Sequence, residues 1–228
     1  MESRASGETA QRPARVLIID DHPLVRAGLA QMLRIEPDLR ICGEAEDAAS
    51  GLSAIEEMKP DIVILDISLR GVSGLDLLKD LRARGIEVPI LVLSMHEESL
   101  YAERVLRAGA KGYLMKQAAP ETVLEAIRCV LGGEIYLSEE MKAKALRRYA
   151  RGTSDCGVPS VNSLSDRELE VFTLIGRGQG TRQIAETLHL SIKTVEAHRE
   201  RIKQKLDLTS ATELLQHATI WFQSAQSP

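Results

Sequence analysis

DIVILDISLR, residues 61–70, decides the fold of this chain. Ile62, Val63, Ile64 and Leu65 form a short, branched, apolar run, the composition of a strand buried on both faces of a parallel sheet. The run stops at Asp66. An unpaired charge is costly inside a sheet, so an acid there belongs at the strand's carboxyl end, where open α/β folds place their ligand sites.

The same pattern extends on both sides of this stretch. Val16 to Ile19 is a buried-strand run ending in Asp20 and Asp21, and Pro23 to Ile35 carries Val25, Leu29, Met32 and Leu33 at helical spacing. A weaker strand over 40–45 and a helix over 48–58 precede the Asp61 strand. A helix over 74–84, a strand over 90–93, a helix over 99–108 and a strand over 112–115 follow it. Pro120 then suits the first turn of a last helix running to Leu131. Five strands alternating with five helices imply right-handed crossovers and a doubly wound, five-stranded parallel sheet. That topology gathers Asp20, Asp21, Asp66, Ser94 and the Met115/Lys116 end at one rim. Crowded carboxylates repel, and hard oxygen ligands with open positions suit Mg²⁺, which keeps waters and takes a phosphate as a further ligand. Lys116 then offers a point charge to a phosphoryl oxygen and Ser94 a hydrogen bond to another.

The chain has 228 residues, 44% hydrophobic and 27% charged, which fits two soluble domains. No apolar run approaches the roughly 18 residues of a membrane span, and the mixed charges of residues 1–14 read as a frayed polar tail and not a signal peptide. A cytoplasmic protein is the expectation, with no membrane partner. Cys42, Cys129 and Cys156 are widely separated and form no CxxC or zinc spacing, so they read as free thiols. Net charge is −4, unevenly spread: residues 1–132 carry 16 Lys+Arg against 21 Asp+Glu, and residues 160–228 carry 8 against 8. Bulk electrostatics does not announce a nucleic-acid binder, so local patterning must.

IIDDH at the first strand, ILD at the third, LSMHE at the fourth and KGYLMK at the fifth resemble the receiver domain of two-component response regulators, over Val16 to Leu131. The resemblance implies a flavodoxin-like fold and a set of roles. Asp66 accepts a phosphoryl group from a sensor histidine kinase. Asp21 and Asp66 ligate Mg²⁺ directly, Asp20 does so through a water, and the backbone carbonyl of Ser68 also contributes. Ser94 and Lys116 contact the phosphoryl group. Tyr113 is the aromatic that swings inward when Ser94 is drawn to it. Ser68 and His96 occupy positions where the family varies and tunes phosphoryl lifetime, and His22 begins the first helix. Gly85, Gly109 and Gly112 read as turn and helix-end glycines, and no GxGxxG or Walker pattern points to a nucleotide cofactor. Lys116 is followed by Gln117 where the family commonly has proline; a cis bond before a non-proline costs about 3–4 kcal/mol, and sequence leaves its geometry open.

After Leu131 the pattern loosens. A charged segment over 138–151 has helical character with Ser138 as cap, and residues 152–163, GTSDCGVPSVNS, form a turn-rich connection, giving a linker over 133–162. Ser165 and Glu168 form a capping box opening a helix with Leu169, Val171, Phe172 and Ile175. A short helix over 181–188, a tight turn at His189 and Leu190, and a helix capped by Ser191 and running to Leu206 match a helix-turn-helix. A fourth helix, capped by Ser210 and Glu213, carries Leu214, Leu215, Ala218 and Trp221; Leu214 and Trp221 suit either core packing or a dimer contact.

The third of these helices is two-sided. Ile192, Val195, Ile202 and Leu206 form one stripe, with Lys193, Glu196, Ala197, Glu200 and Gln204 on the other face. Five bases (Lys193, Arg199, Arg201, Lys203, Lys205) stand against Glu196 and Glu200, a local +3. Residues 164–208 closely resemble the LuxR-type helix-turn-helix of NarL/FixJ regulators. This implies a domain over 163–228 that binds double-stranded DNA, with Lys193, Glu196, Ala197, Glu200 and Gln204 at base edges and Thr194, Arg199, Arg201, Lys203 and Lys205 on phosphates. The whole then reads as a DNA-binding response regulator that dimerises on DNA and acts with RNA polymerase, and not as an enzyme beyond slow self-dephosphorylation. The alternatives are an atypical receiver binding DNA or protein without phosphorylation, and an aspartate-nucleophile phosphohydrolase, for which no substrate pocket or cap insertion is evident.

Overall fold

Residues 62–65 form strand β3, buried at every position, at the centre of a five-stranded parallel sheet. The computed structural model describes residues 12–69, 72–96, 98–143, 146 and 161–226. The first eleven residues of the expected tail, the later part of the charged segment and Cys156 lie outside them.

The other strands are β1 (Ala14–Ile19), β2 (Leu39–Ala45), β4 (Ile90–Ser94) and β5 (Gly112–Met115), in the order β2-β1-β3-β4-β5. Helices α1 (Pro23–Arg34), α2 (Ala48–Met58), α3 (Gly74–Ala83), α4 (Glu98–Ala108) and α5 (Pro120–Leu131) make the crossovers. Their boundaries fall within about two residues of the sequence expectation. The strand order reverses between β1 and β3, and at such a switch point the flanking connections run to opposite faces and leave a crevice at the carboxyl ends. Asp20, Asp21 and Asp66 stand there.

Local chemistry fixes the helix entries. Asp47 and Ser50 cap α2 reciprocally, and Ser73 caps α3 by accepting from Leu75 N–H at 3.3 Å. Gly85 and Gly109, at φ +68 and +116, close helices as expected. Gly112 differs: it lies inside β5, where a Cβ would stand 2.8 Å from Leu91 Cδ1 and 3.1 Å from Tyr136 Cβ. The chain after α5 returns along β5, with Tyr113 N–H donating to Tyr136 O and Tyr136 N–H to Lys111 O, so the sheet edge is covered by the start of the connector. Ser138 then caps the helical turn that follows, its hydroxyl accepting from Met141 N–H at 3.2 Å.

The second domain comprises α6 (Asp166–Gly176), α7 (Thr181–Thr187), α8 (Ile192–Lys205) and α9 (Ala211–Gln226). The Ser165/Glu168 capping box opens α6 as the sequence predicts, and Ser191 caps α8 through Thr194 N–H. At α9 Ser210 Oγ accepts from Glu213 N–H at 3.1 Å, while the Glu213 carboxylate reaches back to Thr209 N–H. Phe172, fully buried, meets Trp221 at 5.3 Å, and Leu214 is also fully buried, so both α9 residues pack into the core. Ile192 is the exception in the apolar stripe of α8: it is 44% exposed, and the buried seam starts at Val195. No described helix is long and apolar enough to cross a membrane.

Candidate functional site

The carboxyl ends of β1, β3 and β5 bring four charges into one buried cluster. Lys116 Nζ, just past β5, lies 2.7 Å from Asp66 Oδ2 and 2.7 Å from Asp20 Oδ2, and all three side chains are at most 5% exposed. Asp21 is equally buried, and His22 Nδ1 stands 2.6 Å from its Oδ1. Asp66 Oδ1 accepts from Ser68 N–H at 3.2 Å. Burial pushes the Asp66 carboxyl above the usual carboxylate range, against the pull of Lys116. Burial alone would lower the Lys116 ammonium, but Asp66 and Asp20 outweigh it and hold it above the ordinary lysine value.

Ligand atoms of Asp20, Asp21, Asp66 and His22 lie within 4.8 Å of one another. Three of the four are hard, buried carboxylate oxygens, a donor set suited to Mg²⁺. The Lys116–Gln117 peptide, left open by the sequence, is trans.

Ser94, at the end of β4, is fully buried and its hydroxyl accepts from His96 N–H at 3.2 Å. His96 Nε2 is 2.9 Å from Ser68 Oγ. Burial pulls the His96 imidazole down to about 4, with Arg177, Lys116 and Arg167 adding in the same direction, so the ring is neutral at pH 7. The Tyr113 ring is fully buried and its hydroxyl donates to His96 O at 2.8 Å, so in this conformation it occupies the inward position.

The second domain packs on α3 and α4 through α6. Asp166 pairs with Lys79 and with Arg104 (3.3 Å), and Arg104 also donates to Leu164 O and Val161 O. Glu170, fully buried, accepts from Arg167 at 2.5 Å and from Ser73 Oγ at 3.4 Å; burial raises its carboxyl to about 7 against the pull of Arg167. Tyr101 Oη lies 3.4 Å from Thr173 Oγ1. None of these interdomain residues was singled out from the sequence. Lys79 and Arg104 sit on ordinary amphipathic helices, and only their tertiary partners distinguish them. His189, at φ +52 in the turn between α7 and α8, brings Nε2 to 3.8 Å from Asp21 Oδ2.

On α8, Lys193, Glu196, Ala197, Glu200, Arg201, Gln204 and Lys205 are exposed, and Thr194, Arg199 and Lys203 are half-buried. The outer face expected from the sequence therefore points to solvent. Lys203 pairs with Glu200 at 2.9 Å and Lys205 with Glu168 at 2.7 Å, while Thr194 Oγ1 is 2.7 Å from Ser191 Oγ.

Fold and site together define a receiver domain joined to a helix-turn-helix domain. Residues 16–128 match the response regulator receiver domain, and residues 162–218 match the luxR family of bacterial regulatory proteins. The oxygen regulatory protein NreC of Staphylococcus haemolyticus is 37% identical over 208 residues, covering 90% of this chain and 96% of that protein. A nitrate/nitrite response regulator protein homolog of Haemophilus influenzae is 36% identical over 200 residues, covering 88% and 93%. Among solved structures, RcsB of Salmonella enterica serovar Typhimurium, bound to promoter rprA in the presence of phosphomimetic BeF3⁻, aligns with TM-score 0.59 and 26% identity, over 91% of this chain and 98% of that one. The chain belongs to the NarL-type DNA-binding response regulators, with a receiver followed by a LuxR-type helix-turn-helix.

Proposed function

We propose that Asp66 is the phosphoacceptor of this regulator and that its phosphorylation by a sensor histidine kinase switches promoter binding. The observation that carries this reading is Lys116 Nζ at 2.7 Å from both Asp66 and Asp20 in a buried, three-carboxylate rim. An Asp66 oxygen attacks phosphorus, the P–N bond to the kinase histidine breaks, and the leaving imidazole takes up a proton. Lys116 follows the transferred group as its countercharge and Ser94 donates to one of its oxygens. Asp21, Asp66 and the Ser68 backbone carbonyl would hold Mg²⁺, with Asp20 acting through a water. That ion would neutralise the phosphoryl oxygens. His96, Ser68 and Tyr113 keep the cover over Ser94 in register. The receiver spans 15–132, the connector 133–162 and the DNA-binding domain 163–228, after a tail over 1–14.

In this reading the outer face of α8 enters the major groove, and a two-fold dimer reads half-sites about one helical turn apart. RNA polymerase is the downstream partner, in the cytoplasm, and the protein turns over no small-molecule substrate. Lys193, Glu196, Ala197, Glu200 and Gln204 meet base edges, and Thr194, Arg199, Arg201, Lys203 and Lys205 meet phosphates. Arg201→Ala is expected to weaken binding by a similar factor for all sequences and to lower the salt slope by about one. Anisotropy titrations at several salt concentrations check this; a changed base preference would assign Arg201 to a base instead.

The test of the whole reading is selection of genomic DNA fragments by the purified chain, with and without Mg²⁺ and beryllofluoride. Enrichment of an inverted repeat with the mimic alone is expected. Equal enrichment in both would remove phosphorylation as the switch and favour a regulator that binds DNA without it. No enrichment in either would remove the DNA sites assigned to α8.

A further inference from the structure

Two imidazoles from different domains meet one buried carboxylate at the acidic rim. His22 Nδ1, at the start of α1, lies 2.6 Å from Asp21 Oδ1, and His189 Nε2, in the turn between α7 and α8, lies 3.8 Å from Asp21 Oδ2. His22 Nδ1 is also 3.2 Å from Asp20 Oδ1 and 3.9 Å from Asp66 Oδ2. Asp20 and Asp21 are buried, whereas the two imidazoles, 54% and 47% exposed, form a roof that solvent and ions reach. Neither histidine has a part in the phosphoryl transfer or the DNA contacts assigned above.

The donors at this roof differ from those below it. Lys116 Nζ holds the Oδ2 atoms of Asp20 and Asp66, 2.7 Å from each. Asp20 Oδ1 and both Asp21 oxygens face the imidazoles instead. Three carboxylates against one ammonium give the rim −2, the charge that one divalent cation cancels. Mg²⁺ prefers an all-oxygen shell, whereas imidazole nitrogens beside carboxylate oxygens suit Zn²⁺ and its first-row neighbours. Donors bound to one tetrahedral Zn²⁺ stand roughly 3.3–3.5 Å apart. The His22–Asp20 and His189–Asp21 separations, 3.2 and 3.8 Å, bracket that range. The closer His22–Asp21 pair shares a proton, and an ion takes the proton's place as the half-exposed ring draws back by roughly 1 Å.

We propose that Asp20, Asp21, His22 and His189 form a site for a divalent transition-metal ion of zinc-like preference, and that this ion joins the DNA-binding domain to the receiver. His22 Nδ1 and His189 Nε2 supply the nitrogens, and Asp21 with Asp20 Oδ1 the oxygens. Neither domain holds the full donor set, because His189 belongs to one and the other three to the other. His189 stands two residues before Ser191, the N-cap of α8, so the ion fixes the turn from which that helix starts. Its backbone is left-handed, φ +52, a conformation that asparagine also tolerates. Asp21 is also assigned to Mg²⁺, so the two ions exclude each other, and the transition ion blocks phosphoryl uptake. That last consequence rests on Asp66 being the phosphoacceptor; the site itself does not.

Untagged full-length wild type, His189→Asn and His22→Asn are titrated with Zn²⁺ by calorimetry in excess Mg²⁺, and with Co²⁺ followed by its visible absorption. Asparagine suits the left-handed backbone at 189 and the N-cap at 22, so metal-free thermal midpoints near wild type are expected. Wild type should bind one Zn²⁺ per chain. Each variant should bind it about ten-fold or more weakly, since even an outer partner of a metal ligand is worth about 10–100-fold in affinity. The Co²⁺ absorption should weaken in both as water replaces an imidazole. An isotherm unchanged in His189→Asn would overturn the bridge between the domains, and one unchanged in His22→Asn would overturn the donor set. No stoichiometric Zn²⁺ on wild type, or equal binding in all three, would overturn the site altogether. Phosphoryl uptake from acetyl phosphate in Mg²⁺ is then read by phosphate-affinity gel. Added Zn²⁺ should suppress it in wild type and suppress it less in His189→Asn; uptake indifferent to bound Zn²⁺ would overturn the exclusion of Mg²⁺. Failure of uptake without Zn²⁺ would overturn the reading of Asp66 and not the metal site, which the titrations decide by themselves.

Discussion

Asp66→Asn is expected to reduce phosphoryl incorporation from acetyl phosphate to background, a loss complete on the scale of the assay. The reaction needs an anionic oxygen that attacks phosphorus while acetate leaves. A carboxamide has no such oxygen, so the loss is one of nucleophile and not of fold. Asparagine keeps the volume, and its amide can still accept from Ser68 N–H, whose bond to Asp66 Oδ1 is 3.2 Å. Lys116 keeps Asp20 at 2.7 Å as a countercharge, so the ammonium is not left buried and unpaired. Intact mass after incubation with Mg²⁺ and acetyl phosphate is the measurement. One added phosphoryl group on the asparagine variant, at the wild-type rate, would place the acceptor on another side chain.

Gly74→Ala has the second largest expected effect, and its sign is contested between two principles. Gly74 is the first residue of α3, and exchange to alanine inside a helix ordinarily stabilises by about 1 kcal/mol. Here the added methyl would lie 2.2 Å from the Asp66 carbonyl oxygen and 2.9 Å from Ile67 Cα. Both are backbone atoms of the loop that carries the acceptor, so no rotamer change relieves the clash. Overpacking of a fixed wall costs about 1–3 kcal/mol, and a wall of backbone belongs at the upper end. The steric term wins, and the receiver should lose roughly 2 kcal/mol net. Because α3 must move off the Asp66 loop, phosphoryl uptake should fall together with the denaturation midpoint. A variant as stable as wild type with full uptake would show that the loop yields freely.

The order of apolar runs, each closed by an acid, a hydroxyl or a lysine, was sufficient for the doubly wound sheet and for placing Asp20, Asp21, Asp66, Ser94 and Lys116 at one rim. Strands buried on both faces have a composition that hardly depends on their neighbours, and the sheet's parallel topology then dictates where their ends lie. The capping box at Ser165 and the two-sided α8 were legible for the same reason: they are local, set by residues three or four apart. The pairing of Lys116 with two carboxylates at once, the trans Lys116–Gln117 bond, the inward Tyr113 and the exposed Ile192 were not. Each depends on which surfaces meet.

The same holds for the connector strand laid against Gly112 and for the contact of α6 with α3 and α4. In the sequence Tyr101, Arg104, Asp166, Glu170 and Thr173 are unremarked positions on amphipathic helices. What the sequence by itself determined is the class of each domain and the chemistry at its edge, because periodicity and strand ends are properties of short stretches. Only the tertiary structure decided how one domain touches the other, because a hydrogen bond between residues 101 and 173 depends on the packing of two whole surfaces, and no local pattern encodes it.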